Sequence, residues 1–172
     1  MPWLVCLSGL PGVGKSTIAR ALAAETGALW LRVDRVEQAM RESHMETEDL
    51  ADGGYAALRA VAAAALEQGF DVIADSVNPI AITRDAWRAA TLEGGGRHLD
   101  VELICSDTIA HRRRVETRKV EVPGLVLPDW QAVLRRTYEP FIAADLSLDT
   151  GALPVEVSVA RIRASLEAVD HG

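Results

Sequence analysis

The chain has 172 residues, 49% of them hydrophobic and 25% charged, enough for one sizeable core and expected to form a single domain over 1–172. Its formal net charge of −7 argues against broad electrostatic attachment to nucleic acid or an anionic membrane, while leaving room for a local basic cleft. The two cysteines, Cys6 and Cys105, both fall in apolar runs without zinc-ligand spacing, which predicts buried, reduced thiols in a cytoplasmic protein.

Trp3 to Leu7 is apolar, Gly9-Leu10-Pro11-Gly12-Val13-Gly14-Lys15-Ser16-Thr17 follows, and Thr17 to Glu25 has a helical pattern. This strand, glycine loop and helix carry G-x-x-x-x-G-K-[ST], in which glycines let successive backbone N–H groups converge on phosphate oxygens at a helix N-terminus. Lys15 is then placed to reach the β- and γ-phosphates, and Ser16 to put its hydroxyl on Mg²⁺. Gly27 ends the helix, since glycine takes the left-handed cap conformation readily.

Ala28 to Val33 reads as a second strand stopping at Asp34, after which Val36, Ala39 and Met40 recur at helical spacing. Asp34 is thereby expected at a strand's C-terminal end, the edge where open α/β sheets hold ligands. It is read as a catalytic or acceptor-binding carboxylate; capping of the following helix is the other reading, and the two are not exclusive. Ser43 to Gly54 is polar and reads as a mobile connection, and Tyr55 to Gln68 is an alanine-rich helix closed by Gly69.

Phe70 to Asp75 reads as a buried strand ending in a carboxylate, the arrangement usual opposite a phosphate loop, so Asp75 is assigned to metal or acceptor. Asn78 is expected to cap a helix with Pro79 at its first position. That helix carries Arg84 and Arg88 one turn apart, beyond a strand end, where they would bind an acceptor or pair with surface carboxylates. Gly94 to Gly96 breaks it, and Leu99 to Cys105 forms a fourth strand.

From Thr108 to Lys119 the chain carries its dense basic cluster, Arg112, Arg113, Arg114, Arg118 and Lys119, on what reads as one helix. Arg114 and Arg118 share a face one turn apart and are assigned to phosphate contact, with Arg112 and Arg113 solvated. Val122 to Pro128 holds two prolines and a glycine and cannot be helical, and Asp129 is placed to cap a helix running to about Tyr138. Leu146 to Asp149 is a last strand, and Pro154 to Val169 a last helix. Trp3, Trp30 and Trp130 read as packing residues and His111 as a surface residue. No apolar run nears the ~20 residues of a membrane helix, and no basic leader precedes the first strand, so no membrane attachment is expected. Alternating strands and helices specify a parallel sheet covered on both faces.

In these residues the chain resembles the AAA-type small P-loop kinases that include the polynucleotide 5′-hydroxyl kinases and zeta-type toxins. The resemblance rests on Gly9 to Thr17, on Leu31-Arg32-Val33-Asp34-Arg35, and on Val72-Ile73-Ala74-Asp75-Ser76 with Asn78. Arg114 and Arg118 before Val122-Pro123, and Leu148-Asp149-Thr150, complete it. It implies a three-layer α/β P-loop NTPase fold of the nucleotide-kinase type, with a five-stranded parallel sheet and a helical lid at about 108–130. It further implies Asp34 as general base on an acceptor hydroxyl, Asp75 near Mg²⁺ or the acceptor, Arg114 and Arg118 in the lid, and a base-reading loop near Thr150.

The expected activity is transfer of the γ-phosphoryl group of ATP, with Mg²⁺, to a hydroxyl-bearing small molecule, by a monomer or homodimer. A nucleic-acid 5′ end, disfavoured by the acidic charge, and a sugar nucleotide are the alternative acceptors. A nucleotide-dependent switch is the reading from another class. Against it stand the missing guanine-selecting N-K-x-D run and a chain too short for the extra helical domain of most ring-forming ATPases.

Overall fold

The computed structural model describes residues 1–44 and 49–169. In chain order its first elements are β1 (Trp3–Ser8), α1 (Lys15–Thr26), β2 (Leu29–Arg32), α2 (Val33–Arg41), α3 (Gly53–Glu67) and β3 (Val72–Asp75). There follow α4 (Ala81–Glu93), β4 (Arg97–Ile104), α5 (Thr108–Thr117), α6 (Trp130–Arg135), β5 (Leu146–Asp149) and α7 (Val155–Val169). All pairings are parallel and the sheet order is β2-β3-β1-β4-β5, the α/β nucleotide-kinase arrangement expected from the chain.

β1 is central, so it is buried along its whole length and its alternation divides two cores rather than core from solvent. Trp3, Val5 and Leu7 meet Ile18 and Leu22 of α1 and Val159 and Ile162 of α7, whereas Leu4 and Cys6 meet Leu58, Ala62 and Leu66 of α3 and Trp87 of α4. The register sets Leu7 of β1 and Arg32 of β2 opposite Asp75 of β3, bringing three strand ends level. Beside β1 the chain order reverses, since β3 flanks one edge and β4 the other, and the crevice above such a reversal is where these sheets bind ligands.

Several local expectations change. Asn78 does not cap a helix. It takes a left-handed φ of 52, is fully buried, and its side-chain amide donates to Ser8 Oγ at 2.9 Å and Cys6 Sγ at 3.3 Å. Pro79 therefore lies in the connection, and α4 starts only at Ala81. α3 begins at Gly53, two residues before the expected start, and α6 stops at Arg135, short of Tyr138. Residues 45–48 of the polar Ser43 to Gly54 stretch lie outside the described residues. Cys6 is buried as expected, but Cys105 is only partly covered.

Arg84 and Arg88 serve the fold. The Arg84 guanidinium donates to the carbonyls of Asn78, Pro79, Glu139 and Pro140 and sits 4.1 Å from the Phe141 ring centre, tying the chain after β3 to the segment before β5. Arg88 lies 2.6 Å from the carboxylate of Asp100, whose side chain is 1% exposed, with His98 on its other oxygen at 3.1 Å. Removing one member of such a pair strands a buried charge. Arg88→Met is expected to cost about 2–3 kcal/mol in urea unfolding; a loss below about 0.5 kcal/mol would show that Asp100 does not depend on it.

Candidate active site

Beyond Ser8 the chain turns through Gly9 to Gly14 into α1 at the middle of the sheet. Gly12 has a φ of +86, and a Cβ there would stand 2.5 Å from Val115 Cγ2 of α5, so glycine lets the lid helix press on the loop. Gly14 is the N-cap of α1, with no capping side chain and no acid in the first turn. The free N–H groups of that turn keep their partial positive charge for an anionic ligand. Lys15, the first residue of the helix, is buried and donates from Nζ to the carbonyls of Gly9 at 2.7 Å and Leu10 at 3.1 Å. Burial pulls its pKa down to about 8, while Asp75 and Asp34 pull it back up. A desolvated ammonium and a bare helix N-terminus opening on one cavity are chemically suited to receive a polyphosphate.

Asp75 ends β3 and is 6% exposed. Its Oδ2 accepts from Ser16 Oγ at 2.7 Å and from Trp30 Nε1 at 3.2 Å, and Arg32 Nε approaches to 3.6 Å. The hydroxyl next to Lys15 and the strand-end carboxylate thus form a pair of hard oxygen ligands. That donor set fits Mg²⁺, which takes one or two protein oxygens together with phosphates and water.

These groups open into a cavity of about 1300 Å³. Lys15, Ser16, Asp34, Asp75, Arg114, Arg118 and Thr150 all line it, together with Pro11, Gly12, Gly14 and Thr17; Arg84 and Arg88 do not. Gly9 is buried beneath the loop, Leu10 is partly covered, and Val13 packs in the core beside α1. Asp34 is not at a strand end. β2 stops at Arg32 and α2 begins without a loop at the buried Val33, so Asp34 occupies the first helical turn. No side chain caps α2, so Asp34 does not act as a cap, and it is exposed to the cavity.

The lid arginines behave differently from one another. α5 ends at Thr117, which puts Arg118 at its C-cap and Lys119 off the helix, correcting the single basic helix expected to Lys119. Arg114 donates from its two terminal nitrogens to Thr150 Oγ1 and to the Thr150 carbonyl, each at 2.9 Å. Thr150 Oγ1 in turn donates to the Val13 carbonyl at 2.7 Å, so Arg114 and Thr150 join the lid helix to the glycine loop. Arg118 donates from one terminal nitrogen to the Pro128 carbonyl at 3.1 Å, and its buried Nε has no hydrogen-bond partner among the described residues. Burial lowers the Arg118 pKa and the charge of Asp34, which lines the same cavity, partly offsets that. His111 is not a surface residue: it is buried, with Nε2 2.9 Å from the Pro11 carbonyl and its ring edge-on to Trp130.

Sequence reasoning missed Arg32, Glu121 and Arg136, all of which line the cavity. Arg136 acts electrostatically on both Lys15 and Glu37. Glu121 bonds Arg20 at 2.6 Å and Arg32 at 2.8 Å, and both guanidiniums sit over the Trp30 ring. Trp30 is therefore a site residue as well as a packing one. The available signals were a charge interrupting an apolar strand at Arg32 and a lone acid following the basic cluster at Glu121.

A glycine cradle after the central strand, a buried lysine, a serine–aspartate pair and an arginine-bearing lid define a kinase-like P-loop NTPase. The chain belongs to the AAA domain family, whose sequence profile matches residues 4–137. Its fold is shared by the Mycobacterium tuberculosis APS kinase CysC, solved with AMPPNP and APS, at TM-score 0.73 and 19% identity over 96% of this chain and 98% of that one. A sugar kinase from Janibacter sp. HTCC2649 aligns at TM-score 0.69 and 20% identity, covering 97% and 95% of the two chains. A gluconokinase from Sinorhizobium meliloti 1021 aligns at 0.65 and 22%, covering 99% and 98%. No curated protein sequence matches the chain. Among the described residues no helix is long and apolar enough to cross a membrane.

Proposed function

We propose that this protein is a Mg²⁺-dependent phosphotransferase that moves the γ-phosphoryl group of ATP to a hydroxyl of a small-molecule acceptor, with Asp34 as general base. The observation that carries the reading is the position of Asp34. It has no hydrogen bond or ion pair among the described residues, yet it lines one cavity with Lys15, the Ser16–Asp75 pair and Arg118. The APS kinase and gluconokinase that share the fold support a small-molecule kinase as the class. Two unpaired cysteines suit a cytoplasmic setting.

In this reaction the acceptor O–H bond breaks as its oxygen bonds to the γ-phosphorus, and the bridging oxygen leaves with its electron pair on ADP. Asp34 takes the hydroxyl proton and passes it to solvent. Lys15 and the α1 amides meet the β- and γ-oxygens, and Arg118 offers forked donors to the transferring group. Ser16 and Asp75 would hold Mg²⁺, whose charge neutralises the leaving diphosphate. The acceptor lies between Glu37, Gln38 and Arg41 of α2 and the lid residues Val122, Leu125 and Leu127, which line the same cavity.

The test is a screen of hydroxyl-bearing metabolites and 5′-hydroxyl oligonucleotides with γ-labelled ATP and Mg²⁺, using Lys15→Ala as the blank. Label appearing on a metabolite supports the reading. Label on oligonucleotides alone would replace it with a polynucleotide 5′-kinase, and saturable ATP binding without transfer to any hydroxyl would remove the kinase reading.

A further inference from the structure

The metal carboxylate Asp75 is bordered by a cation that serves two acids. Arg32 is opposite Asp75 in the β2–β3 register, its side chain is 14% exposed, and it stands 3.6 Å from Asp75 Oδ2 through Nε. Through its terminal nitrogen the same guanidinium bonds Glu121 at 2.8 Å. Glu121 belongs to the lid, just beyond α5, and also accepts from Arg20 of α1 at 2.6 Å. The Trp30 ring supports both arginines, at 5.6 Å from Arg20 and 5.2 Å from Arg32, while its Nε1 donates to Asp75. In this arrangement the segment after α5 touches the end of α2: a Cβ on Gly124 would be 2.5 Å from Glu42 Oε1 and 2.6 Å from Gln38 Nε2.

Serine, indole and guanidinium all approach Oδ2 of Asp75. That fixes the carboxyl plane, but a guanidinium released onto it would also cancel the charge a cation needs. Glu121 is the group that draws Arg32 the other way, and it moves with the lid.

We propose that Glu121 and Arg32 are positioning residues for the metal carboxylate. In the arrangement seen here Glu121 takes the terminal nitrogen of Arg32 and leaves only the long Nε contact of 3.6 Å to Asp75, so that carboxylate stays available to Mg²⁺. With the lid raised, Arg32 loses Glu121 and closes further onto Asp75. Lid closure and metal binding are thereby linked, and by reciprocity each strengthens the other. The inference rests on the assignment of Ser16 and Asp75 to Mg²⁺ made above, and it needs no acceptor.

The experiment is a Mg²⁺ titration of ATP binding, followed by tryptophan fluorescence and by calorimetry, on wild type, Glu121→Gln, Arg32→Gln and the double variant. Glu121→Gln is expected to raise the Mg²⁺ half-saturation by about fivefold or more, as for residues coupled within one charge network. ATP affinity in EDTA should change by less than about twofold, because the phosphate seat is untouched. The double variant should return the Mg²⁺ half-saturation close to wild type, since no guanidinium is left to fall on Asp75, and Glu121→Asp should rescue in part. A merely structural support would make the double variant as poor as the single one or poorer. That result overturns the proposal, as does an unchanged Mg²⁺ half-saturation in Glu121→Gln. Melting curves on each variant confirm that it is folded. A wild type whose ATP binding ignores Mg²⁺ overturns both this inference and the metal assignment, whereas failure to find an acceptor counts against the kinase reading alone.

Discussion

Lys15→Met is expected to lower phosphoryl transfer by roughly 10²–10³-fold or more, the usual loss when a preorganised donor to transition-state charge is removed. At the same time it should make the nucleotide-free protein more stable at pH 7. The wild-type ammonium is buried, and burial drags its pKa from 10.5 to about 8. Such a shift corresponds to about 3 kcal/mol of unfavourable burial of the charged form. Methionine fills similar volume without a charge, so part of that penalty disappears, and a rise of several degrees in melting temperature is the expected sign.

The pH dependence follows from the same shift. A group whose folded pKa lies below its unfolded one binds fewer protons when folded. Wild-type stability therefore gains as pH climbs from about 8 toward 10.5 and loses that gain as pH falls back through 8. Tyr55 and Tyr138 oppose it at the upper end, because burial raises both and their contribution is lost once pH exceeds their ordinary value near 10. The clean window is about pH 8 to 9, because above 9.0, the ordinary thiol value, the buried Cys6, whose pKa burial raises, also opposes the rise; over that window the rise should be present in wild type and flattened in Lys15→Met. ATP binding must restore the ammonium, so affinity should weaken above pH 8 in wild type. Identical stability–pH profiles for the two proteins would mean that the lysine does not carry a buried charge.

Asp34→Asn should lower kcat by about 10²–10⁴-fold, the range for loss of a general base, with the KM for ATP changed by less than about twofold. Its cost in stability should stay within about 0.5 kcal/mol, because Asp34 is exposed and caps nothing. The combination is diagnostic. Had the side chain been a helix cap, the variant would lose roughly 1 kcal/mol and keep its turnover. Full turnover at unchanged stability would remove Asp34 from the mechanism and shift attention to Glu37, one turn further along α2 and half buried beside it.

The parts of the site that were readable in the chain are those made by neighbours in sequence. Gly9 to Thr17 specifies its cradle because a glycine turn entering a helix leaves its N–H groups to a ligand whatever else surrounds it. Gly27 and Asp129 act within one turn of themselves: Gly27 closes α1 with φ 74, and Asp129 accepts from Ala132. Asp34 and Asp75 were placed on the right edge of the sheet, although α2 starts one residue earlier than the strand reading allowed. Where the reading failed, a distant partner had taken over. Asn78 looked like a cap until Ser8 and Cys6 of the central strand claimed its amide, and Arg84 looked like a ligand until four carbonyls surrounded it.

The sequence by itself determined the alternation of strands and helices, the phosphate loop and the two acids, because each depends on local periodicity or on a contiguous run. Only the tertiary structure decided which arginines reach the cleft. A guanidinium on a long side chain takes whichever oxygens the fold presents, and those lie far along the chain: Glu121 and Asp75 for Arg32, Thr150 for Arg114, and Asp100 for Arg88. Charge at a position is a property of the residue, whereas its use is a property of the neighbours that packing brings to it.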